Sequence, residues 1–240
     1  EQNLVVAMAL EVQVHGLERP LRVAAEPQWS VRQLKEALEA DVGTPRRELK
    51  LLTFEGQELQ EPKRLESFCG REALIFEVRC ERRPAEQALW LEKVRADEDG
   101  RFLAEAPAHI QADREVVLAA VSQNGRALEF ASDTLRADRD VVLAAIDEDD
   151  QALRFAGAAL WSDRTFALAA VARSGTALRD ISADLRQDRE IVMTAVCQDG
   201  LALRYAAEHL RADHAVVLAA VQEAGEALKF ADPELQTDAD

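Results

Sequence analysis

The second half of the chain carries one hydrophobic pattern that returns every 25 residues. The shared pattern opens with an aspartate, continues into an apolar run such as 116–121, and then has a glycine before the sequence Ala-Leu-x-aromatic-Ala, with Asp150 in place of the glycine in one copy and Asp180 in place of the aromatic residue in another. A fixed period of roughly 20–50 residues is typical of stacked repeats, in which each unit buries its apolar side chains against its neighbours. Five copies and a truncated sixth begin at Asp113, Asp138, Asp163, Asp188, Asp213 and Asp238.

Each copy predicts one α-helix followed by a shorter helix. The opening aspartate is a good N-cap, because its carboxylate accepts free N–H groups at the positive end of the helix dipole. Apolar residues then cover more than one face, as expected for a helix with neighbours on both sides. A glycine such as Gly125 is expected to end this helix in the left-handed conformation. About ten residues remain, which suits a short or 3₁₀ helix.

The first 80 residues have a different hydrophobic rhythm. Residues 10–14 and 21–23 alternate between apolar and polar side chains, which predicts a β-hairpin. Ser30 then caps an amphipathic helix that ends at Gly43. Two further strands are predicted at 49–52 and 74–78.

Several segments of this first part resemble ubiquitin-like domains, chiefly Glu26-Pro27, Gly43-Thr44-Pro45 and the stretch 51–59. The resemblance implies a β-grasp fold. This part of the chain also differs from ubiquitin in two respects. The last strand runs on into Cys80-Glu-Arg-Arg-Pro84 where ubiquitin ends in a free Gly-Gly, so conjugation by that route is not expected. Thr53 and Glu77 are polar at two positions of ubiquitin's apolar patch, which argues against ordinary ubiquitin-receptor binding.

The repeats in turn resemble domain-of-unknown-function 4116 repeats and, less closely, leucine-rich variant repeats. The family pattern Leu-x-x-Asp-x-Glu-Val-Val-Leu-x-Ala-Val is carried by residues such as 110–121. This resemblance implies an α-solenoid and no activity. We therefore expect an α+β chain of two domains: a ubiquitin-like β-grasp domain over 1–83 and an all-α solenoid of 25-residue repeats over 84–240. The solenoid divides into a degenerate capping repeat at 84–112, five full repeats at 113–237 and the truncated sixth.

The negative charge of the chain is concentrated in the repeats. Residues 1–83 carry 13 basic and 15 acidic side chains, a net charge of −2, whereas the remainder carries 16 and 30, a net charge of −14. Nucleic acid and anionic lipid are poor partners for such a surface. A protein with a basic patch is a better complement, although net charge also serves plain solubility.

Two departures from the repeat suggest contact residues. Asp147-Glu148-Asp149-Asp150 replaces the usual helix end and glycine, and 97–100 is similarly acidic two periods earlier, so the two loops are expected on one edge. A solvated acidic edge is the simpler interpretation, because a calcium site needs a longer ordered loop. Trp161 stands at the position of Arg136, Arg186 and Arg211. If those arginines are exposed, Trp161 is a candidate anchor for a partner; otherwise it packs against the neighbouring repeat.

Asp180 is a third departure, since it occupies the position held by an aromatic side chain in the other copies. Either the repeat is locally rearranged and the carboxylate reaches solvent, which we expect, or Asp180 pairs with Arg179 or Arg204. The residues before the aromatic position are mostly cationic, and arginine follows four of the aspartate caps. Ion pairs between repeats explain these rows, although each exposed pair contributes little.

No pattern of catalysis or cofactor binding is present. The sequence has no phosphate-binding glycine loop, no His-Glu-x-x-His and no ordered Ser, His and Asp set. The four histidines and three cysteines lack metal-site spacing. We therefore expect no enzyme, cofactor or metal. Scattered cysteines favour a reducing intracellular compartment, and a removed targeting segment stays open. The longest apolar runs are too short for a transmembrane span.

The function predicted from these observations is a non-catalytic adaptor that binds a protein partner through its acidic repeat surface. The candidate contacts are Trp161, Asp180 and the loop 147–150. One alternative is a structural subunit of a large assembly, which would show wide apolar patches. A second alternative, a regulator in the ubiquitin pathway, depends on fold analogy alone. The oligomeric state is left open.

Overall fold

The computed structural model describes residues 10–17, 19–61, 63–69, 75–97 and 101–237. The chain divides into two compact units, Glu1–Glu92 and Lys93–Asp240. The helix Ala85–Arg95 spans this division, so the segment assigned from sequence to the capping repeat contributes to both units.

In its described residues before Ala85–Arg95, the first unit is a four-stranded mixed sheet with one long helix. The strand order is β2-β1-β4-β3, with β1 and β4 parallel and the other two pairs antiparallel. The first and last strands therefore lie side by side in the middle, the arrangement of a β-grasp fold. The elements are β1 (Leu10–His15), β2 (Leu21–Ala25), α1 (Val31–Val42), a 3₁₀ helix (Arg46–Glu48), β3 (Leu49–Thr53), α2 (Glu66–Cys69) and β4 (Ile75–Arg82).

Local chemistry fixes the ends of α1 as the sequence predicts. The hydroxyl of Ser30 accepts the backbone N–H of Gln33, whose side chain accepts the N–H of Ser30 in return. At the other end Gly43 has a φ of 71°, a left-handed conformation that few other residues adopt. The helix then buries Val31, Leu34 and other apolar residues against the inward face of the sheet.

Arg83, the last residue of the domain predicted over 1–83, is anchored in the first unit. The backbone N–H of Arg83 donates to the carbonyl of Glu48 at 2.7 Å, and its buried guanidinium contacts Glu58 Oε1 at 2.5 Å. Burying this charge is tolerable because it is paired and hydrogen-bonded. The chain therefore leaves the sheet along a fixed path through residue 83.

The second unit is an array of helical repeats. It begins with the end of Ala85–Arg95, followed by Phe102–Glu105 and Ala108–Gln111. We call residues 113–137, 138–162, 163–187, 188–212 and 213–237 copies one to five. Each copy has a long α-helix, and together these form the α layer: Arg114–Val121, Arg139–Glu148, Arg164–Arg173, Arg189–Gln198 and His214–Glu223.

A 3₁₀ helix follows each long helix, as the limited number of residues predicts. These helices form the 3₁₀ layer: Gly125–Phe130, Asp150–Phe155, Gly175–Arg179, Gly200–Tyr205 and Gly225–Phe230. A third short element closes each copy. It is α-helical at Asp133–Arg136, Glu208–Arg211 and Pro233–Thr237 and a 3₁₀ helix at Ala158–Ser162 and Leu185–Gln187.

The predicted aspartate caps are confirmed in all five copies. The carboxylate of Asp113, for example, accepts the backbone N–H groups of Glu115 and Val116 at 3.0 and 3.1 Å. The same two bonds recur at the other four caps. Successive copies are also tied by one backbone hydrogen bond at the same place in each copy. The N–H groups of Ser132, Gly157, Ser182, Ala207 and Asp232 donate to carbonyls 21 residues earlier, at 2.7–3.1 Å.

The predicted left-handed conformation of the repeat glycines is wrong. Positive φ values among the described glycines occur only at Gly16, Gly43 and Gly56, all in the first unit. The repeat glycines instead allow close approach of the next copy. A Cβ at Gly125 would lie 2.2 Å from the carbonyl oxygen of Ala145. Glycine is selected here by a neighbour 20 residues away, which a local interpretation of helix ends does not include.

Candidate interaction surface

A row of ion pairs links the N-terminal ends of the long helices. Arg114 contacts both Asp138 and Asp140 of the next copy, at 3.0 and 2.7 Å. Arg164 contacts Asp188 and Glu190 in the same way, at 2.7 and 2.5 Å. The predicted ion pairs between repeats are therefore confirmed for Arg114 and Arg164, and Arg189 makes the same contact with Asp213. Arg114 and Arg164 each face two carboxylates, so the edge keeps an excess of negative charge.

Three caps in this row, Asp138, Asp188 and Asp213, have pKa values below the ordinary value of an aspartate. The hydrogen bond from Arg164 is the main reason that the pKa of Asp188 lies below its ordinary value. Arg189 lowers the pKa of Asp213 in the same way. At Asp138, partial burial raises the pKa, but hydrogen bonds from Arg114 and from the N–H of Val141 outweigh it, and the pKa is lowered. The carboxylates of these three caps are therefore charged at neutral pH.

The outer side of the α layer carries an apolar row, which we define as Leu118, Leu143, Leu168, Met193 and Leu218. Leu118, Leu168 and Met193 are half-buried, Leu143 is 8% exposed and Leu218 is 54% exposed. Because residues three and four apart share a helix face, Asp140 and Asp147 lie beside Leu143 on this surface, and Glu190 lies beside Met193. The acidic borders of the row are therefore Asp140, Asp147 and Glu190. The same spacing places Arg139 beside Leu143 and Arg189 beside Met193.

The 3₁₀ layer presents cations that lie on aromatic rings. The guanidinium carbons of Arg154 and Arg204 lie 4.6 and 4.5 Å from the centroids of Phe155 and Tyr205. The ammonium of Lys229 lies 5.1 Å from the ring of Phe230. Each cation stacks on the residue that follows it. These cations are therefore explained by contacts within each copy, and the predicted ion pairs between repeats are wrong for Arg154, Arg204 and Lys229.

Asp180 breaks this stacking and replaces it with an ion pair. Both guanidinium nitrogens Nε and Nη2 of Arg179 donate to the carboxylate of Asp180, at 3.2 and 3.0 Å. The carboxylate is half-buried, and its 3₁₀ helix ends one residue early, at Arg179. Local rearrangement and pairing with Arg179 therefore occur together.

Trp161 does not have the exposure that a contact anchor requires, and this part of the prediction is wrong. Its side chain is 9% exposed and meets Phe166 edge to face, with ring centroids 5.3 Å apart and an interplanar angle of 70°. The arginines at the same position are themselves half-buried. The physical reason is that this position borders the next long helix, where Phe166 replaces the usual Val or Ile.

The acidic loop 147–150 is partly neutralised by arginines of neighbouring copies. Arg173 contacts Asp147 at 2.7 Å and Arg126 contacts Asp149 at 2.7 Å. Asp149 also caps its 3₁₀ helix by accepting the N–H of Gln151. Glu148 and Asp150 are exposed. The similar loop 97–100 lies largely outside the described residues; Asp97 in it accepts the N–H of Phe102 at 2.7 Å.

Within the described parts of the chain, no group of three or more His, Cys, Asp or Glu side chains is arranged to hold a metal ion. None of the described helices is long and apolar enough to cross a membrane.

On the sheet of the first unit, Glu77 is exposed and Thr53 is half-buried. Phe54 is 67% exposed, and its ring meets His15 edge to face at 5.7 Å.

Sequence comparison assigns the repeats to a family. A family model described as Domain of unknown function (DUF4116) matches residues 96–136, 113–161, 138–186 and 188–236, which together cover more than half of the chain. The chain belongs to the DUF4116 family. These matches follow the copies seen in the structure of this DUF4116 protein. No curated protein matches it.

Two solved structures are similar to the DUF4116 chain. A designed protein based on ubiquitin is 24% identical; the match covers 32% of this chain and 93% of that one, with a TM-score of 0.29. ATBAG1, solved in complex with HSP70, is 11% identical; the match covers 92% of this chain and 93% of that one, with a TM-score of 0.32. The assignment of the sheet unit to the β-grasp fold stands on its own strand order.

Proposed function

We propose that this DUF4116 protein is a non-catalytic interaction module that binds a partner protein along its α layer. The observation that carries the proposal is the apolar row with its acidic borders. Half-buried or exposed apolar side chains recur at one repeat position in four of the five copies, and Leu143 of copy two is buried at the same position. The four form a line along the array and not an isolated patch. Repeat arrays commonly use such extended faces for binding.

The charges beside the row favour a partner with basic flanks. Residues 84–240 have a net charge of −14, from 16 basic and 30 acidic side chains. Arg114 and Arg164 each meet two carboxylates, and Asp140 and Glu190 stay mostly exposed. A segment with apolar side chains between lysines or arginines complements this surface in both respects. The cationic 3₁₀ layer is the less suitable face, because its cations are already stacked or paired.

The sequence supports the proposal that the module is non-catalytic. It lacks the spacing of known nucleophile, metal and phosphate sites. Trp161 is no longer among the expected contacts, since it is buried. Asp147 belongs to the border of the apolar row and stays a candidate contact, together with Glu148.

Affinity capture with matched variants tests the proposal. The variant L168E/M193E places charge in the apolar row, whereas R154Q/R204Q makes the same change in net charge on the 3₁₀ layer. We expect a partner captured by the unaltered chain to be retained by R154Q/R204Q and lost with L168E/M193E. We also expect capture to weaken as salt rises from about 0.05 to 0.5 M, because screening shortens the reach of the acidic borders.

Two results would contradict the proposal. Equal capture by all three proteins would exclude the apolar row as the binding surface. Capture that does not respond to salt would exclude the acidic borders as a determinant. Circular dichroism of each variant checks that the helices are intact before binding is compared.

A further inference from the structure

The joint between copies two and three is built differently from the other joints between complete copies. At the other three joints, the 3₁₀ helix of one copy packs against both the long helix and the 3₁₀ helix of the next copy. The 3₁₀ helix Asp150–Phe155 makes no comparable packing with Arg164–Arg173 or with Gly175–Arg179. The long helices of copies two and three still pack together. This joint is therefore open on the 3₁₀ side and closed on the α side.

The residue at the glycine position explains the opening. A Cβ at Gly125, Gly175 or Gly200 would lie 2.2, 2.6 or 2.2 Å from the carbonyl oxygen of the alanine 20 residues later. Real Cβ atoms essentially never come within 3.0 Å of such an atom. Copy two has Asp150 at this position. A side chain with a Cβ cannot occupy the closed geometry, so the 3₁₀ helices stay apart.

The charged contact across this joint is also changed. At the other joints Arg114, Arg164 and Arg189 contact the cap aspartate of the next copy at 2.7–3.0 Å. Arg139 instead donates to the hydroxyl of Thr165 at 2.9 Å and to its carbonyl at 3.3 Å. The next cap, Asp163, accepts the Thr165 hydroxyl. At this joint, the ion pair between arginine and the cap aspartate is thus replaced by hydrogen bonds to neutral groups.

Besides the packing of the long helices and the hydrogen bonds of Arg139, further contacts join the two copies on the α side and at the ends of the helices. Trp161 of copy two meets Phe166 of copy three edge to face. The N–H of Ser182 donates to the carbonyl of Trp161 at 2.9 Å, and Arg173 contacts Asp147 at 2.7 Å. The two copies therefore remain attached along one side, while the opposite side lacks the packing found at the other three joints.

We infer that this joint is a hinge of the repeat array, created by the Cβ of Asp150. Copies one and two move as one body and copies three to five as another, and the angle between them changes by opening and closing on the 3₁₀ side. The Trp161 and Phe166 contact is the pivot. The inference depends on the packing of the repeats and is independent of the proposed binding function.

Hydrogen–deuterium exchange of the full chain tests the hinge, with two substitutions at one residue. In the unaltered protein, the amides of 150–155 and 175–179 should exchange at least about tenfold faster than those of 200–205, because local opening controls exchange. D150G removes the Cβ and should slow the first two segments to the rate of 200–205. D150A removes the carboxylate but keeps the Cβ, so exchange should stay fast.

Each other outcome overturns the inference. Equal exchange in the three segments of the unaltered protein would show that the joint does not open. Fast exchange retained in D150G would show that the Cβ does not hold the joint apart. Slow exchange in both variants would assign the opening to the negative charge and not to the Cβ. Unchanged circular dichroism confirms that both variants are folded, as glycine at the same position of four other copies leads us to expect.

Discussion

The sheet unit and the repeat array bury their apolar side chains in different ways. The sheet unit has one core, in which β1 and β4 are neighbours although about 60 residues separate them. In the array, each buried side chain meets its own copy and the adjacent copies. The stability of the sheet unit therefore depends on all of its elements together. In the array, the cost of a substitution at one position depends on which atoms of the next copy pack against it.

The largest effect is expected in the shared core of the sheet unit. Leu34 of α1 is fully buried among residues from all four strands. L34A should lower the free energy of unfolding of that unit by about 2–5 kcal/mol, because it removes buried methyl groups and leaves a cavity. Urea denaturation measures the loss. The isosteric change L34M is the control and should cost less than about 1.5 kcal/mol.

The glycine position tests whether the neighbouring copy sets the cost in the array. G200A places a Cβ 2.2 Å from the carbonyl of Ala220, and should cost about 1–3 kcal/mol through overpacking. At Gly225 nothing described lies within 4 Å of the Cβ position and φ is not positive, so G225A should be neutral or slightly stabilising. Thermal denaturation of the two variants distinguishes them. Equal losses would mean that the local backbone, and not the neighbour, requires glycine.

Acid should weaken the array through its caps. The pKa values of Asp138, Asp163, Asp188 and Asp213 are lowered in the folded protein. Their stabilisation is therefore complete above the unfolded value of about 3.9 and is lost as the pH falls through the lower folded values. We expect the melting temperature to be steady from pH 7 to about pH 5 and to fall below pH 4. A melting temperature that rises on acidification would contradict the assignment.

A single cap should have a smaller effect. D188A removes the acceptor for the N–H groups of Glu190 and Ile191 and the partner of Arg164. The expected loss is about 1 kcal/mol, most of it from the cap. S30A removes the equivalent cap of α1 in the sheet unit and should cost a similar amount. A much larger loss in one unit would show that capping is coupled to packing there.

The smallest effect is expected for the exposed cations of the 3₁₀ layer. R204M keeps an unbranched apolar stem but removes the charge that lies on the ring of Tyr205. Such contacts are worth about 0.5–1 kcal/mol at exposed sites, so stability should fall by no more than that. The same change at Arg126, which pairs with Asp149, should cost about 0–1 kcal/mol. Chemical denaturation of both variants makes the comparison.

Much of the fold follows from the sequence because its signals are local. The strand alternation, the Ser30 and Gly43 ends of α1 and the aspartate caps all depend on residues within one element. The features that the sequence does not predict are contacts between neighbouring copies. Gly125 is required by a carbonyl in copy two, and Trp161 is buried by Phe166 of copy three. The 25-residue period indicates that the copies pack against each other, but it does not indicate which atoms are in contact.

The candidate surface was less accessible to prediction for the same reason. The apolar row consists of four leucines and Met193, which all look like core residues in the sequence. Only the structure shows that three of the five are half-buried and that Leu218 is exposed, while Leu143 is buried. The acidic loop 147–150 looked like one charged edge, yet arginines from copies one and three pair with two of its carboxylates. Ion pairs across a joint therefore reduce the number of carboxylates that are free to contact a partner.

Hydroxyl-radical footprinting of the chain with a captured partner tests the central claim most directly, because it reports individual side chains. The claim is that a partner covers the apolar row on the α layer. It predicts that oxidation of Met193 and Leu218 falls when the partner binds, while the half-buried rings of Phe155 and Tyr205 on the 3₁₀ layer are oxidised as before. Protection of those rings with Met193 unchanged would contradict it.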